Sequence, residues 1–399
     1  MKIEVYSPTI RRKEMDAVLT AMVEEKIGPG ERSKLLLQTI KEQLAFDYAL
    51  ALRSPAVALS LALKAVINNI HKAGNQVSCN QAVVISALSP FYYFQVLQDL
   101  HLTPLYCDVT YDIPCMNREL IENAIAGKPE NTNVCAIVLH HTLGFIPDVS
   151  SIAELGIPVI EDISQSYGGW FKPKDKNEEN EKIESVNVQN LINNSGSGSN
   201  SNYNFKFNSL FYILGLEERD MLTSGGGAIL FAMNKKDSLL LRSLGGISNE
   251  PYKAKYPGIA SEYCLPDINA ALAIIQFKEI QRNIERRRDI AGIYYQSSLS
   301  LATRTKHKRF ISGNENEYNN YSFSLILETG LKDVVFYARK KEIEIEIAFE
   351  NTIAASGIDI GSSCPVSNSL VLRTVLFPLY PRLRSPEVER ISRLIMTLP

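Results

Sequence analysis

Apolar and polar positions alternate along most of this chain at two spacings. Over residues 9–26, Met15, Val18, Leu19, Met22 and Val23 recur three and four apart, which predicts a helix with one apolar face. Gly28-Pro29-Gly30 breaks it. A second helix is predicted from about Ser33 to Tyr48, with Leu36, Ile40 and Leu44 at spacing four. A short strand over Ala49-Leu50-Ala51-Leu52 follows, then an Ala/Leu-rich, buried helix from Pro55 to Ile70. Short apolar runs at Val83-Val84-Ile85, residues 104–108, residues 136–139 and Val159-Ile160 read as strands, with helical stretches between several of them. Strands resume over 209–214 and 228–231. A long helical pattern runs from Leu265 to about Tyr295 through Ile268, Leu272, Ile275 and Ile280. It carries Arg286-Arg287-Arg288, which reads as a solvated face. Strands alternating with helices predict an α/β fold around a mainly parallel sheet.

Residues 172–204 break the pattern. They are rich in Lys, Glu, Asn, Ser and Gly and poor in large apolar residues, which predicts a flexible surface insertion. The remaining totals are those of an ordinary soluble globular protein: 399 residues, 45% hydrophobic, 22% charged, net charge −2. That charge gives no global attraction to nucleic acid or an anionic membrane. No apolar run reaches the roughly 20 residues of a membrane span. The segment Met1–Val5 lacks the apolar stretch of a signal peptide, so cytoplasm is the expected location. The six cysteines (Cys79, Cys107, Cys115, Cys135, Cys264, Cys364) are scattered without a CxxC pair and read as small buried thiols rather than zinc or dithiol sites. His140 and His141 are neighbours on a predicted strand, so their side chains point to opposite faces, and no metal site is expected.

Candidate chemistry concentrates in Val159-Ile160-Glu161-Asp162-Ile163-Ser164-Gln165-Ser166-Tyr167-Gly168-Gly169. An apolar lead into paired acids and a polar, glycine-ended turn is how a buried strand delivers a carboxylate to its carboxyl end, where open α/β sheets place ligands. The stretch resembles the aspartate-bearing strand of the DegT/StrS family of pyridoxal-phosphate-dependent sugar aminotransferases. The resemblance covers nearly the whole chain. Ser7-Pro8-Thr9-Ile10 with Glu14 resembles the family's entry segment, Ile27-Gly28-Pro29-Gly30 its I-x-G-P turn, and His141 to Gly144 with Pro147-Asp148 its H-x-x-G strand end. Thr223–Gly227 resembles its TTGEGG turn, residues 263–271 its YRLTDIQAA segment, and residues 377–381 its LPLYP segment. The resemblance implies a fold-type-I transferase: a large domain over 1–250 with a seven-stranded, mainly parallel sheet, then an interface helix and a small C-terminal α/β domain over 251–399. It also implies a dimer with sites at the subunit interface. By the same resemblance Asp162 faces the pyridine nitrogen of pyridoxal phosphate, Gln165 lies by its ring, and Ser54 and His141 line the cofactor site.

Other positions depart from the family. A pyridoxal enzyme needs a lysine for covalent attachment, an acid for the ring nitrogen and donors for the phosphate. The lysine position falls on Asp220, and Leu216-Glu217-Glu218-Arg219-Asp220 contains no lysine. Lys206 lies upstream, before a predicted strand. The family's SGT helix start reads Ser54-Pro55-Ala56, its serine on the lysine strand falls on Gly215, its partner-subunit asparagine on Glu262 and its arginine on Cys264. Proline removes an N–H, and a carboxylate repels phosphate.

Three functions stay open at this point. The chain is a catalytically degenerate relative that binds a nucleotide sugar or pairs with an active paralogue; or it is a working transaminase of a nucleotide keto-sugar; or it resembles a dehydratase that uses the amine form of the cofactor, with Asp220 as base. The first is the expectation carried forward, in the setting of amino-sugar and polysaccharide formation that the resemblance implies.

Overall fold

The computed structural model describes residues 2–44, 48–72, 80–171, 186–187, 209–246, 260–311, 319–328, 330–361 and 363–399. Cys79, Lys206 and nearly all of the insertion expected at 172–204 lie outside the described residues.

The amino-terminal part runs α1 (Arg12–Val23), α2 (Glu31–Leu44), β1 (Ala49–Leu52), α3 (Pro55–Lys72), β2 (Asn80–Ser86), α4 (Tyr92–Asp99) and β3 (Thr103–Cys107). Next come α5 (Arg118–Ala126), β4 (Thr132–His140), α6 (Val149–Ala153) and β5 (Val159–Asp162). A two-residue ribbon pairs β6 (Trp170–Phe171) with β7 (Val186–Asn187). Then follow β8 (Phe211–Gly215), β9 (Ala228–Ala232), α7 (Lys235–Leu244) and the long α8 (Asp267–Arg304). The chain closes with β10 (Phe323–Ile326), α9 (Leu331–Lys340), β11 (Glu346–Ile347), α10 (Pro365–Arg373), β12 (Thr374–Phe377) and α11 (Ser385–Met396).

Seven strands form one sheet in the order β1-β9-β8-β5-β4-β2-β3. Neighbours from β8 to β3 run parallel, and β9 runs antiparallel to β1 and β8. The expected mainly parallel α/β sheet is therefore present. Strands β5, β8 and β9 are buried throughout, which is why they read as continuous apolar runs rather than alternating ones. One face packs on α3 and α4 through Leu59, Tyr93, Val138, Ile160 and Ile213. The other is covered near β8 and β9 by α2 and α8, with Ile40, Phe277 and Tyr212, and near β4 by α5 and α6, with Ile121, Ile152 and Leu139. A three-stranded antiparallel sheet, β10-β12-β11, packs with α9, α11 and part of α8 around Phe323, Val334, Val375 and Ile391. Asp108, just after β3, ties the two parts together. It accepts from the Val366 and Ser367 backbone N–H groups at 2.9 and 2.8 Å and so caps α10 from across the fold.

The helix predicted over residues 9–26 is present as α1, and its apolar face lies outward: Met15, Leu19, Met22 and Val23 are 51–82% exposed, while Glu14 and Ala21 are buried. The helix lies on α8 through the opposite side, where the Gln276 amide donates to the Glu14 carboxylate at 3.4 Å. Arg287 is not on a solvated face. It is buried, and its guanidinium donates to the carbonyls of Tyr321 and Leu379 at 2.9 and 2.6 Å. Among the described residues no helix is long and apolar enough to cross a membrane.

Candidate functional site

The carboxyl ends of β2, β4, β5 and β8 converge on one recess, and alternation along the strands decides which side chains reach it. His140 and Asp162 are register partners on β4 and β5, so they share the face that packs on α3 and α4. Glu161 points to the opposite face. Its oxygen stands 3.2 Å from His141 Nε2, and His141 Nδ1 is 2.6 Å from Ser166 Oγ. The structure thus places His140, not His141, beside Asp162. His141 belongs to a buried polar cluster behind the sheet. The sequence motif marked the strand end correctly, but a shift of one residue changes the face.

Asp162 is buried and acts as an acceptor at both oxygens. Oδ1 accepts from the Ser164 backbone N–H at 3.0 Å and from the Ser164 hydroxyl, whose own oxygen accepts from Gly215 N at 2.7 Å. Oδ2 accepts from the hydroxyls of Tyr92 and Tyr93 at 3.0 and 2.8 Å. Burial first, then the charge of Asp162, raises both phenols well above their ordinary range, so both remain donors. Sequence reasoning missed these two tyrosines. The available signal was their place in the segment leaving the carboxyl end of β2, which is where such sheets hold ligands.

His140 is buried between Tyr93 and Thr142. Its Nδ1 is 3.0 Å from Thr142 Oγ1, its ring meets Tyr93 edge-on, and burial lowers its pKa to about 4. It is neutral at neutral pH.

Asp220 lies in the loop between β8 and β9, at the base of the Thr223–Gly227 turn. Glycines 225, 226 and 227 all adopt positive φ there (71°, 138° and 124°), which residues with a Cβ rarely tolerate in succession. Asp220 Oδ2 accepts from Glu217 N at 2.8 Å, and the carboxyl turns inward against Gly215. Although the residue is only half-buried overall, the burial of its carboxyl and then the charge of Asp162 push its pKa well above the usual carboxylate value. Burial first, and among the nearby charges that of Asp220, raises the phenols of the half-buried Tyr6 and Tyr321.

Gln165 and Ser54 are engaged locally. The Gln165 side-chain carbonyl accepts from Leu143 N at 2.7 Å and holds the turn after β4, where Leu143 has φ +55°. Ser54 Oγ accepts from Val57 N at 3.3 Å and caps α3, and Pro55 at the next position has no N–H to offer. Cys264 bridges to Leu52 at the edge of β1, and the Glu262 carbonyl accepts from Arg53 Nε at 3.0 Å.

The family profile described as the DegT/DnrJ/EryC1/StrS aminotransferase family matches residues 8–182 and 217–396. The chain is 23% identical over 313 residues to dTDP-4-amino-4,6-dideoxy-D-glucose transaminase of Escherichia coli, covering 74% of this chain and 73% of that protein. Among solved structures it resembles the sugar aminotransferase CalS13 of Micromonospora echinospora, with TM-score 0.77, 13% identity, and coverage of 98% of this chain and 99% of that one. It likewise resembles Spr1654 of Streptococcus pneumoniae, provisionally assigned as a sugar aminotransferase and solved in its PLP form. That match has TM-score 0.75 and 16% identity and covers 100% of this chain and 98% of that one.

Proposed function

Because the chain belongs to the DegT/DnrJ/EryC1/StrS aminotransferase family, we propose that it retains the family's fold without the family's covalent cofactor chemistry, and serves amino-sugar formation as a binding or partner protein. One observation carries this reading. The loop position that answers to the family lysine holds Asp220, a carboxyl turned inward on Gly215. A carboxyl cannot condense with an aldehyde.

Pyridoxal phosphate, the cofactor of the family, fits these residues poorly at each of its three contact points. An amine is missing at 220. The amino end of α3 offers fewer free N–H groups than an anion site needs, since Pro55 has none and Val57 N is taken by Ser54. Asp162 already holds four internal donors. No reaction step is therefore assigned through the cofactor. The alternative in which Asp220 acts as a base on the amine form is disfavoured, because the carboxyl is turned inward on Gly215 and already accepts from Glu217 N, and burial of the carboxyl and then the charge of Asp162 oppose its ionisation.

The exposed stripe on α1 supports a partner role. Met15, Leu19 and Met22 are each about half exposed, and Ile27 and Leu35, in the turn and helix that follow, are 55% and 48% exposed. Such a patch suits a second copy of this chain or a close relative with the same fold. The ligand that suits a family member of this kind is a nucleotide-linked sugar. The proposal is tested by titrating purified protein with pyridoxal phosphate and following visible absorbance. No saturable new band is expected, and a one-to-one band at micromolar cofactor would overturn the reading.

A further inference from the structure

The loss of the lysine does not by itself explain how a buried carboxylate is kept without a ligand. Asp162 offers about four lone-pair directions, and all four are filled from within the chain. Ser164 supplies two donors to Oδ1 from the turn that follows β5. Tyr93 supplies one to Oδ2 from the core between α4 and the sheet, where it is fully buried. The fourth donor is Tyr92, at the first position of α4, and it differs from the others. It is only half-buried, and it meets Tyr93 edge-on with ring centroids 4.9 Å apart. Of the two phenols on Oδ2, it is the one that senses the charge of Asp220, after burial and the charge of Asp162.

We infer that Tyr92 is a built-in plug: its hydroxyl occupies the lone pair of Asp162 through which a protonated pyridine ring would be held, and so closes the ring subsite of this chain to any such heterocycle. This goes beyond the missing lysine, because a plugged Asp162 refuses the ring whether or not an amine stands nearby. The closure is self-consistent. Without Tyr92 the carboxylate would keep an unfilled acceptor in a buried setting, and buried acceptors are costly to leave unpaired. With Tyr92 in place the carboxylate needs no ligand.

Pyridoxine is the probe that isolates this subsite. Its ring nitrogen can carry the proton that Asp162 would accept, and it has neither aldehyde nor phosphate, so neither residue 220 nor the amino end of α3 is being tested. Binding to the full chain is measured by isothermal titration for the wild type, Tyr92→Phe, Tyr92→Ala and the double variant Tyr92→Phe/Asp162→Asn. The Phe variant keeps the ring volume and removes only the anchoring hydroxyl, which guards against a misfolded Ala variant. Circular dichroism reports on each fold. The expected result is no saturable binding to the wild type, a gain of about tenfold or more on removing the hydroxyl, and loss of that gain in the double variant. The inference is overturned if the wild type binds pyridoxine as tightly as the Tyr92 variants, or if no folded variant binds it. A lysine adduct formed with pyridoxal phosphate would sink the proposed function and is read in a separate experiment.

Discussion

Asp220 occupies the space that a side chain at residue 215 would need. A Cβ built on Gly215 would collide with Asp220 Oδ2 and lie 2.8 Å from Ser164 Oγ. A side chain at 215 and the present placement of the Asp220 carboxyl therefore compete for one space, which couples the two positions. Gly215→Ser is expected to cost about 1–3 kcal/mol through overpacking. In an Asp220→Ala background the same substitution should cost less, with a coupling of roughly 1 kcal/mol or more. Urea unfolding of the four proteins measures both. Equal costs in the two backgrounds would separate the positions.

The ionisation of Asp220 should be visible in stability. Burial and the charge of Asp162 raise its folded pKa above the ordinary value of 3.8. A group of that kind contributes stability that is full below its unfolded pKa and is lost as pH rises through its folded pKa. Asp220→Asn keeps an oxygen for Glu217 N and has no charge to bury. Its stability relative to wild type should therefore improve as pH rises above the ordinary carboxyl value of 3.8. A difference independent of pH would show that the carboxyl ionises freely.

His140 has the opposite sign. Burial lowers its folded pKa from 6.5 to about 4, so the stability tied to its neutral form is present above pH 6.5 and is lost as pH falls toward 4. The full effect is of the order of 3 kcal/mol. His140→Asn should flatten the acid limb of the stability profile over that window. Direct titration of the imidazole by NMR gives the same answer, and a midpoint near 6.5 would contradict it.

Much of the fold is legible in the sequence. Continuous apolar runs at 136–139, 159–160 and 228–231 are strands buried on both faces, and alternation with helices identifies the parallel sheet. The site was legible only in part. Asp162 and Asp220 reach the recess, but His141 turned out to face Glu161, because side-chain direction along a strand depends on parity that a motif match does not fix to one residue. Three arginines in a row read as solvated, yet the carbonyls that accept from Arg287 lie 34 and 92 positions away and cannot be foreseen locally. The α1 stripe predicted a helix but not its destination. An apolar face facing a partner has the same periodicity as one facing the core.

That stripe gives a further expectation. If Leu19 and Met22 face a second copy, Leu19→Lys with Met22→Lys should shift the protein toward monomer in sedimentation velocity, with little change in its far-ultraviolet dichroism, since both side chains are already exposed in the single chain. A wild type that sediments as a monomer would remove the self-association reading and leave the related-partner reading to be tested by mixing.

The most direct test of the central claim is borohydride reduction of the wild-type protein in stoichiometric pyridoxal phosphate, followed by peptide mass mapping. The account predicts no single lysine carrying a stoichiometric pyridoxyl group, because residue 220 is an acid and Asp162 is fully bonded within the chain. One lysine labelled to completion at equimolar cofactor, and protected from label in Asp162→Asn, would contradict it.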